Sequence, residues 1–312
     1  MTTINQGKKI RVFSPATVSN VGSGFDIMGF AIEGAGDILE MELRNDSRLN
    51  VENLTGAALP EKIEDNVIYP VIKALQKELG VDIGMNIRFR KKINPGSGLG
   101  SSAASSVAVA YGFNKLLGSP LIKKELIDYA REGEKLVSGS AHADNIAPCM
   151  LGGFVIIRSY HPLDIIEIPY PETLYCSIVF PDISIDTKKG RSVLNKSNSL
   201  KDTITQTGNA AGLVAGLMMN DYELIGRSMV DVIAEPRRKD MIPGFDNIRK
   251  AALNKNSLGC NISGSGPSVF ALSTDKTTAT EIKEAMVMAV METGHKCQSW
   301  VSPISKNGVC EI

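Results

Sequence analysis

The stretch Ile93-Asn94-Pro95-Gly96-Ser97-Gly98-Leu99-Gly100-Ser101-Ser102-Ala103-Ala104-Ser105 constrains this chain more than any other. Three glycines at alternate positions let the backbone take positive φ and come close to a ligand. The Ala-rich segment that follows reads as a helix start, whose unpaired N–H groups and positive dipole end favour an anion. Ser101 and Ser102 add hydroxyls at that junction. The pattern predicts a phosphate cradle in preference to an ordinary Ser-capped turn. It is not a Walker A loop, since no Gly-Lys-Ser/Thr follows, and its glycine spacing differs from the dinucleotide fingerprint.

Bulk properties narrow the partners. A chain of 312 residues exceeds the usual single core, so two joined domains are expected. Pro162, Pro169 and Pro171 interrupt periodicity between Ser159 and Thr173, which sets the expected division at 1–168 and 169–312. Lys+Arg and Asp+Glu number 34 each, so bulk charge offers nothing to nucleic acid or to an acidic membrane. The five cysteines form no C-x-x-C pair and are odd in number, which points away from a secreted disulfide framework. Met1 to Lys9 is polar, and no apolar run reaches the roughly 18 residues that span a bilayer. A cytoplasmic protein with a small-molecule substrate, and with neither nucleic acid nor membrane as partner, is the expectation.

Along the chain, Lys9 to Phe13 alternates as a strand that Ser14-Pro15-Ala16-Thr17 ends. A Gly-rich polar loop, Val18 to Gly29, then sets Asn20 and Asp26 six residues apart. Strands over 38–43 and 48–51 are separated from their neighbours by turns at Gly34-Ala-Gly36 and Asn45-Asp46. Glu64-Asp65-Asn66 caps a helix over 67–79, and a strand over 85–91 delivers the chain into the phosphate loop. Further helices are expected at 103–117, 120–137, 200–219, 222–232 and 278–292, with strands at 174–180, 269–272 and 296–301. Residues 181–191 read as a polar loop. With only three histidines and no cysteine near His142, a zinc site is not indicated.

Pro95 to Ser105 resembles the nucleotide-binding motif of the small-molecule kinases named for galactokinase, homoserine kinase, mevalonate kinase and phosphomevalonate kinase, the GHMP family. Three more stretches resemble the branch of that family that acts on homoserine. They are Val18 to Gly29, Gly139 to Pro148 with its His142-Ala-Asp144-Asn145, and Ala234-Glu-Pro-Arg-Arg238 with Ile242-Pro-Gly-Phe245. Gly259 to Ser268 is similar to the family's third motif, which buttresses the phosphate loop.

The resemblance implies an α+β fold of two domains, an N-terminal nucleotide-binding one like ribosomal protein S5 domain 2 and a ferredoxin-like C-terminal one. It implies that Pro95, Gly96, Ser97, Gly98, Leu99, Gly100, Ser101, Ser102, Ala103, Ala104 and Ser105 bind ATP, with Asn66 near the adenine. It assigns Mg²⁺ to Glu134 and Ser102, which suits an ion that takes few protein oxygens. Read from position alone, Glu134 late in a helix would be a solvated residue that the helix dipole disfavours. The substrate residues implied are Asn20, Asp26, His142, Thr187, Arg191 and Arg238, with Asn145 facing the reacting hydroxyl and Asp144 orienting its neighbours. Two arginines suit a carboxylate, which guanidinium forks bind bidentately. The loop after Arg191 lacks the proline that commonly follows in the family.

The activity implied is ATP-dependent phosphorylation of the L-homoserine hydroxyl to O-phospho-L-homoserine, a step towards threonine, and a homodimer is left open. Two other readings stand beside it. A sister kinase for mevalonate or a sugar would commonly carry a Lys where this chain has Pro15-Ala16-Thr17, and an Asp base where it has Asn145. A non-catalytic ligand sensor on the same fold is opposed by the intact Glu134 and Ser101-Ser102.

Overall fold

The alternation that begins at Lys9 does not stop at Pro15. In the structure, a computed structural model that describes residues 7–194 and 197–312, β1 (Lys9–Ser19) continues through Ser14 to Thr17 and pairs antiparallel with β2 (Met28–Leu43). The register shifts between Pro15 and Thr17, and such a bulge tolerates a residue with no N–H to give to the ladder. Gly34–Gly36, expected as a turn, lies inside β2. A Cβ on Gly36 would fall 2.4 Å from the Ser14 carbonyl oxygen, so glycine here allows two strands to approach.

β3 (Leu49–Asn53) runs parallel to β4 (Met85–Lys91), with α1 (Ile68–Leu79) as the crossover between them. α2 (Ser101–Leu116), α3 (Lys123–Ser138) and the short α4 (Ile146–Leu151) pack with α1 behind the sheet. The small residues of α2 bring it close: a Cβ on Gly112 would sit 1.7 Å from Met41 Cε of β2. β5 (Phe154–Tyr160) and β6 (Leu163–Ile168) form a hairpin joined to the start of β2. The first sheet thus runs β1-β2-β4-β3, with β5 attached to β2 and β6 to β5.

β7 (Tyr175–Pro181) opens the second sheet. The polar loop expected next is a helix, α5 (Thr187–Ser192), because the Asp186 carboxylate accepts from the Lys188 and Lys189 N–H groups at 2.6 and 3.3 Å. α6 (Leu200–Met219) follows, then α7 (Tyr222–Ser228), which ends before the expected 232. The Asp231 carboxylate takes the N–H groups of Ile233, Ala234 and Glu235 at 2.8 to 3.0 Å and turns the chain into α8 (Glu235–Arg238). α9 (Phe245–Leu253), β8 (Gly259–Ile262), β9 (Val269–Ser273), α10 (Lys276–Met291) and β10 (Cys297–Pro303) complete the unit. Its antiparallel order, β10-β7-β9-β8, is that of a ferredoxin-like β-α-β-β-α-β unit. A final strand the sequence did not suggest, β11 (Cys310–Glu311), returns to pair with β1.

One hydrophobic cluster crosses between the sheets. Phe30 of β2 stacks on Phe154 at 5.4 Å and meets Phe270 of β9 edge-on at 6.0 Å. Truncating a fully buried phenylalanine costs about 3–5 kcal/mol, so the two halves are joined through core and not merely by a linker. A second cluster, with Ile248, Ile282 and Met286, lies under α9 and α10.

Candidate active site

A cleft of about 470 Å³ opens where the phosphate loop meets the second unit. Gly96, Gly98 and Gly100 take φ of 73°, 78° and 69°, the left-handed region that glycine enters without strain. A Cβ on Gly98 would lie 2.5 Å from the Ser263 carbonyl oxygen, and one on Gly100 would lie 2.1 Å from Thr17 Oγ1. The loop is therefore pressed between two other segments. Ser263 Oγ donates to the Gly98 carbonyl at 2.7 Å and the Ser268 N–H to the Ser97 carbonyl at 3.2 Å. α2 begins straight after Gly100 with no side chain capping it, which leaves its first N–H groups for a ligand.

Pro95, Gly96, Gly98, Gly100, Ser101, Ser102, Ser105 and Asn66 line the cleft, whereas the side chains of Ser97, Leu99, Ala103 and Ala104 are buried behind it. Leu59, Pro60, Val67 and Val137 make its apolar end, beside Asn66, whose Oδ1 accepts from the Ile68 N–H at 3.2 Å. Sequence reading passed over Lys92. Its Nζ donates to the Ser101 carbonyl and Oγ at 2.8 and 2.6 Å and pairs with Asp37 at 3.1 Å, with both side chains almost wholly buried. Burial pulls the ammonium pKa down and Asp37 opposes that pull. As half of a Lys91-Lys92 pair at a strand end, it carried no signal that separates it from a solvated lysine.

Glu134 of α3 faces the cleft. Ser102 Oγ donates to its Oε2 at 2.9 Å, and burial raises its carboxyl pKa against that hydrogen bond. The two side chains present hard oxygen donors at the mouth of the phosphate loop.

Across the cleft, Asp26 sits at φ 60° on the loop between β1 and β2. Asn20 fixes it there, its Oδ1 accepting from the Asp26 N–H at 2.8 Å while its Nδ2 donates to the Gly264 carbonyl at 2.8 Å. Arg191 of α5 forks onto the Asp26 carboxylate at 3.2 and 2.6 Å. Arg238 of α8 is buried, and donates to the Gly190 and Gly264 carbonyls at 2.9 Å each, while Arg237 is exposed. Both guanidiniums lie over the Phe25 ring, at 5.8 and 5.1 Å. His142 Nδ1 stands 3.7 Å from Asp26, and neither ring nitrogen has a hydrogen-bond partner. Burial is the largest cause that lowers its pKa, and the arginines add to it, so the ring is neutral near pH 7. Thr187 opens α5, but its side chain lies outside those described.

Asn145 is committed on both sides. Thr17 Oγ1 donates to its Oδ1 at 2.7 Å and its Nδ2 donates to Ser19 Oγ at 2.8 Å. Asp144 beside it is buried, and that burial, with the charges of Asp26 and Glu134, pushes its carboxyl up to about 7. In the sequence Thr17 reads as part of a strand end and Ser19 as part of the polar loop that follows; only the continuation of β1 through both reveals them as partners of Asn145.

A backbone phosphate cradle, a half-buried carboxylate at its mouth and a polar acceptor pocket opposite define a phosphotransferase for small molecules. The GHMP kinases N terminal domain matches residues 66–153 and the GHMP kinases C terminal domain matches 210–291. The chain belongs to the GHMP kinase family. Within it, the homoserine kinase of Chlorobium phaeobacteroides strain BS1 is 44% identical, over 96% of this chain and 98% of its own. That of Methanococcus maripaludis is 38% identical, over 85% and 88%. The crystal structure of homoserine kinase from Cytophaga hutchinsonii is 45% identical and covers both chains fully with a TM-score of 0.95. Mevalonate kinase of L. major, 17% identical with a TM-score of 0.71, shares the fold.

Proposed function

We propose that this chain transfers the γ-phosphoryl group of ATP to the side-chain hydroxyl of L-homoserine, releasing O-phospho-L-homoserine and ADP on the way to threonine. The observation that carries the reading is the facing of the phosphate loop by Asp26, Arg191, Arg238 and His142 within one cleft. Asp26 matches the ammonium of an amino acid, and the two arginines match its carboxylate. The homoserine kinases at 44 and 45% identity support the same substrate.

In this reading the apolar end beside Asn66 takes the adenine, and the N–H groups of the loop and of α2 take the phosphates. Ser102 and Glu134 hold Mg²⁺, which neutralises phosphate charge when bound. A carboxylate desolvated with no cationic partner in hydrogen-bond reach fits a cation, and among the described residues no cluster of three or more His, Cys, Asp or Glu offers another site. Asn145, held by Thr17 and Ser19, has no basic atom and orients the hydroxyl. Phosphoryl transfer through a loose transition state needs positioning and charge neutralisation more than a strong base, so the hydroxyl proton leaves late, with the transferred phosphate.

The working division is 1–168 for nucleotide binding and 169–312 for the second domain, and the compartment is the cytoplasm. Among the described residues, no helix is long and apolar enough to cross a membrane. Phosphorus NMR of the protein with ATP, Mg²⁺ and L-homoserine tests the reading. A new phosphomonoester resonance that grows in step with ADP is expected, and ATP left intact under these conditions would reject it.

A further inference from the structure

Tyr160, the last residue of β5, lies behind the acceptor side chains Asp26 and His142. Its hydroxyl is shared by two loops. It donates to the Asp26 carbonyl at 2.6 Å and accepts from the Ala143 N–H at 3.3 Å. Asp26 belongs to the loop between β1 and β2, and Ala143 follows His142 in the segment between α3 and α4, so one oxygen ties together backbones that are 117 residues apart in sequence. The ring is fixed as well. Arg131 of α3 lies over it at 5.4 Å from the centroid, and Arg131 Nε donates to the Ala141 carbonyl at 2.8 Å. The His142 ring meets it edge-on at 6.1 Å.

We infer that Tyr160 is a positioning residue for the acceptor site, setting the separation of Asp26 from His142 while touching neither ATP nor the reacting atoms. Two features make the position sensitive. Asp26 occupies φ 60°, which a non-glycine residue holds only when its surroundings impose it, and the Tyr160 bond to its carbonyl is one of the bonds that do so. The imidazole nitrogens of His142 make no hydrogen bond, so its ring is placed by packing, and the Tyr160 ring is part of that packing. Burial raises the phenol pKa, so the hydroxyl keeps the proton it donates over the working pH range. Loss of the hydroxyl strands the Asp26 carbonyl and frees both loops, while the phosphate loop, held by Ser263 and Ser268, is left as it was.

The inference rests on the homoserine reading above, and the test separates the two. Steady-state kinetics of the unaltered chain come first: no turnover of homoserine would reject that reading and say nothing of Tyr160. With turnover established, Tyr160→Phe should raise KM for homoserine about 10-fold, a loss of about 1.4 kcal/mol, with kcat and KM for ATP changed by less than about 2-fold. Arg131→Lys, which keeps the charge but gives up the bond to Ala141, should raise the same KM by about 3-fold with the same selectivity. An unchanged KM for homoserine in both variants would overturn the inference. So would KM values for ATP and homoserine rising together with a fall in Tm, since a merely structural tyrosine would behave that way.

Discussion

The two ends of the cleft are built from different materials. In the proposed reading the nucleotide end is one contiguous segment that binds through its backbone, with three left-handed glycines and the uncapped start of α2, clamped by main-chain and serine contacts from the segment before β9. The acceptor end is made of side chains drawn from four separate segments, where Arg191 forks onto Asp26 and Arg238 donates to two carbonyls. Backbone reads the charge and shape common to any triphosphate; opposed ionic side chains read one arrangement of ammonium and carboxylate. A site of the second kind must exchange internal contacts for substrate contacts, so its failures should appear in KM for the acceptor. Failures of the first kind should abolish turnover.

The largest break is expected at the nucleotide end. Gly98→Val puts a β-branched side chain at φ 78° and against two carbonyl oxygens, so ATP affinity should fall at least about 100-fold in calorimetry. Binding within 3-fold or so of the parent would contradict the close approach described here. Glu134→Gln comes next. It keeps the shape and the Ser102 contact but removes the anion, so kcat should drop about 100-fold or more at saturating ATP with Tm unchanged or slightly raised, because burial already disfavours the charge. Full activity at saturating Mg²⁺ would remove Glu134 from the metal's surroundings.

At the acceptor end the effects should be smaller and selective. His142→Leu should raise KM for homoserine about 10-fold and leave kcat within a few-fold, as expected of a neutral ring that positions substrate. A kcat lowered about 100-fold with binding retained, together with the disappearance of an acidic limb from the parent pH profile, would make His142 the base instead. The smallest effect concerns Asp144. Its folded carboxyl is raised to about 7 from an ordinary value of 3.8, so the native chain keeps a proton that the unfolded chain has lost. The associated stability is fully present below about pH 4 and fades as pH rises towards about 7. In ligand-free protein, Asp144→Asn should flatten that fall, shrinking the Tm difference between pH 5 and pH 7.5 by about 2 °C or more. An unaltered slope would mean that Asp144 titrates as an ordinary carboxyl.

The same contrast explains what could be read without coordinates. The phosphate loop was legible because its chemistry is local: alternate glycines and a following helix start are adjacent in sequence. Asp26, His142, Arg191 and Arg238 were reached only through resemblance, since each on its own is an unremarkable polar residue. Lys92, Thr17 and Tyr160 were missed because what distinguishes them is burial beside partners from other strands and helices. The elements misread are those decided by tertiary contacts. Pro15 bends β1 without ending it, Gly36 lets β2 pass Ser14, and β11 exists only because β1 offers it an edge.

Substrate discrimination tests the central claim most directly, because the acceptor end is claimed to read an amino acid and the nucleotide end to be indifferent to it. ADP release should be followed in a coupled assay with homoserine, serine, threonine and mevalonate under one set of conditions. The account predicts the highest kcat/KM for homoserine, lower values for the two hydroxy amino acids whose hydroxyl lies one carbon nearer the ammonium, and none above background for mevalonate, which has no ammonium for Asp26. Turnover of mevalonate at a rate equal to or above that of homoserine would contradict it.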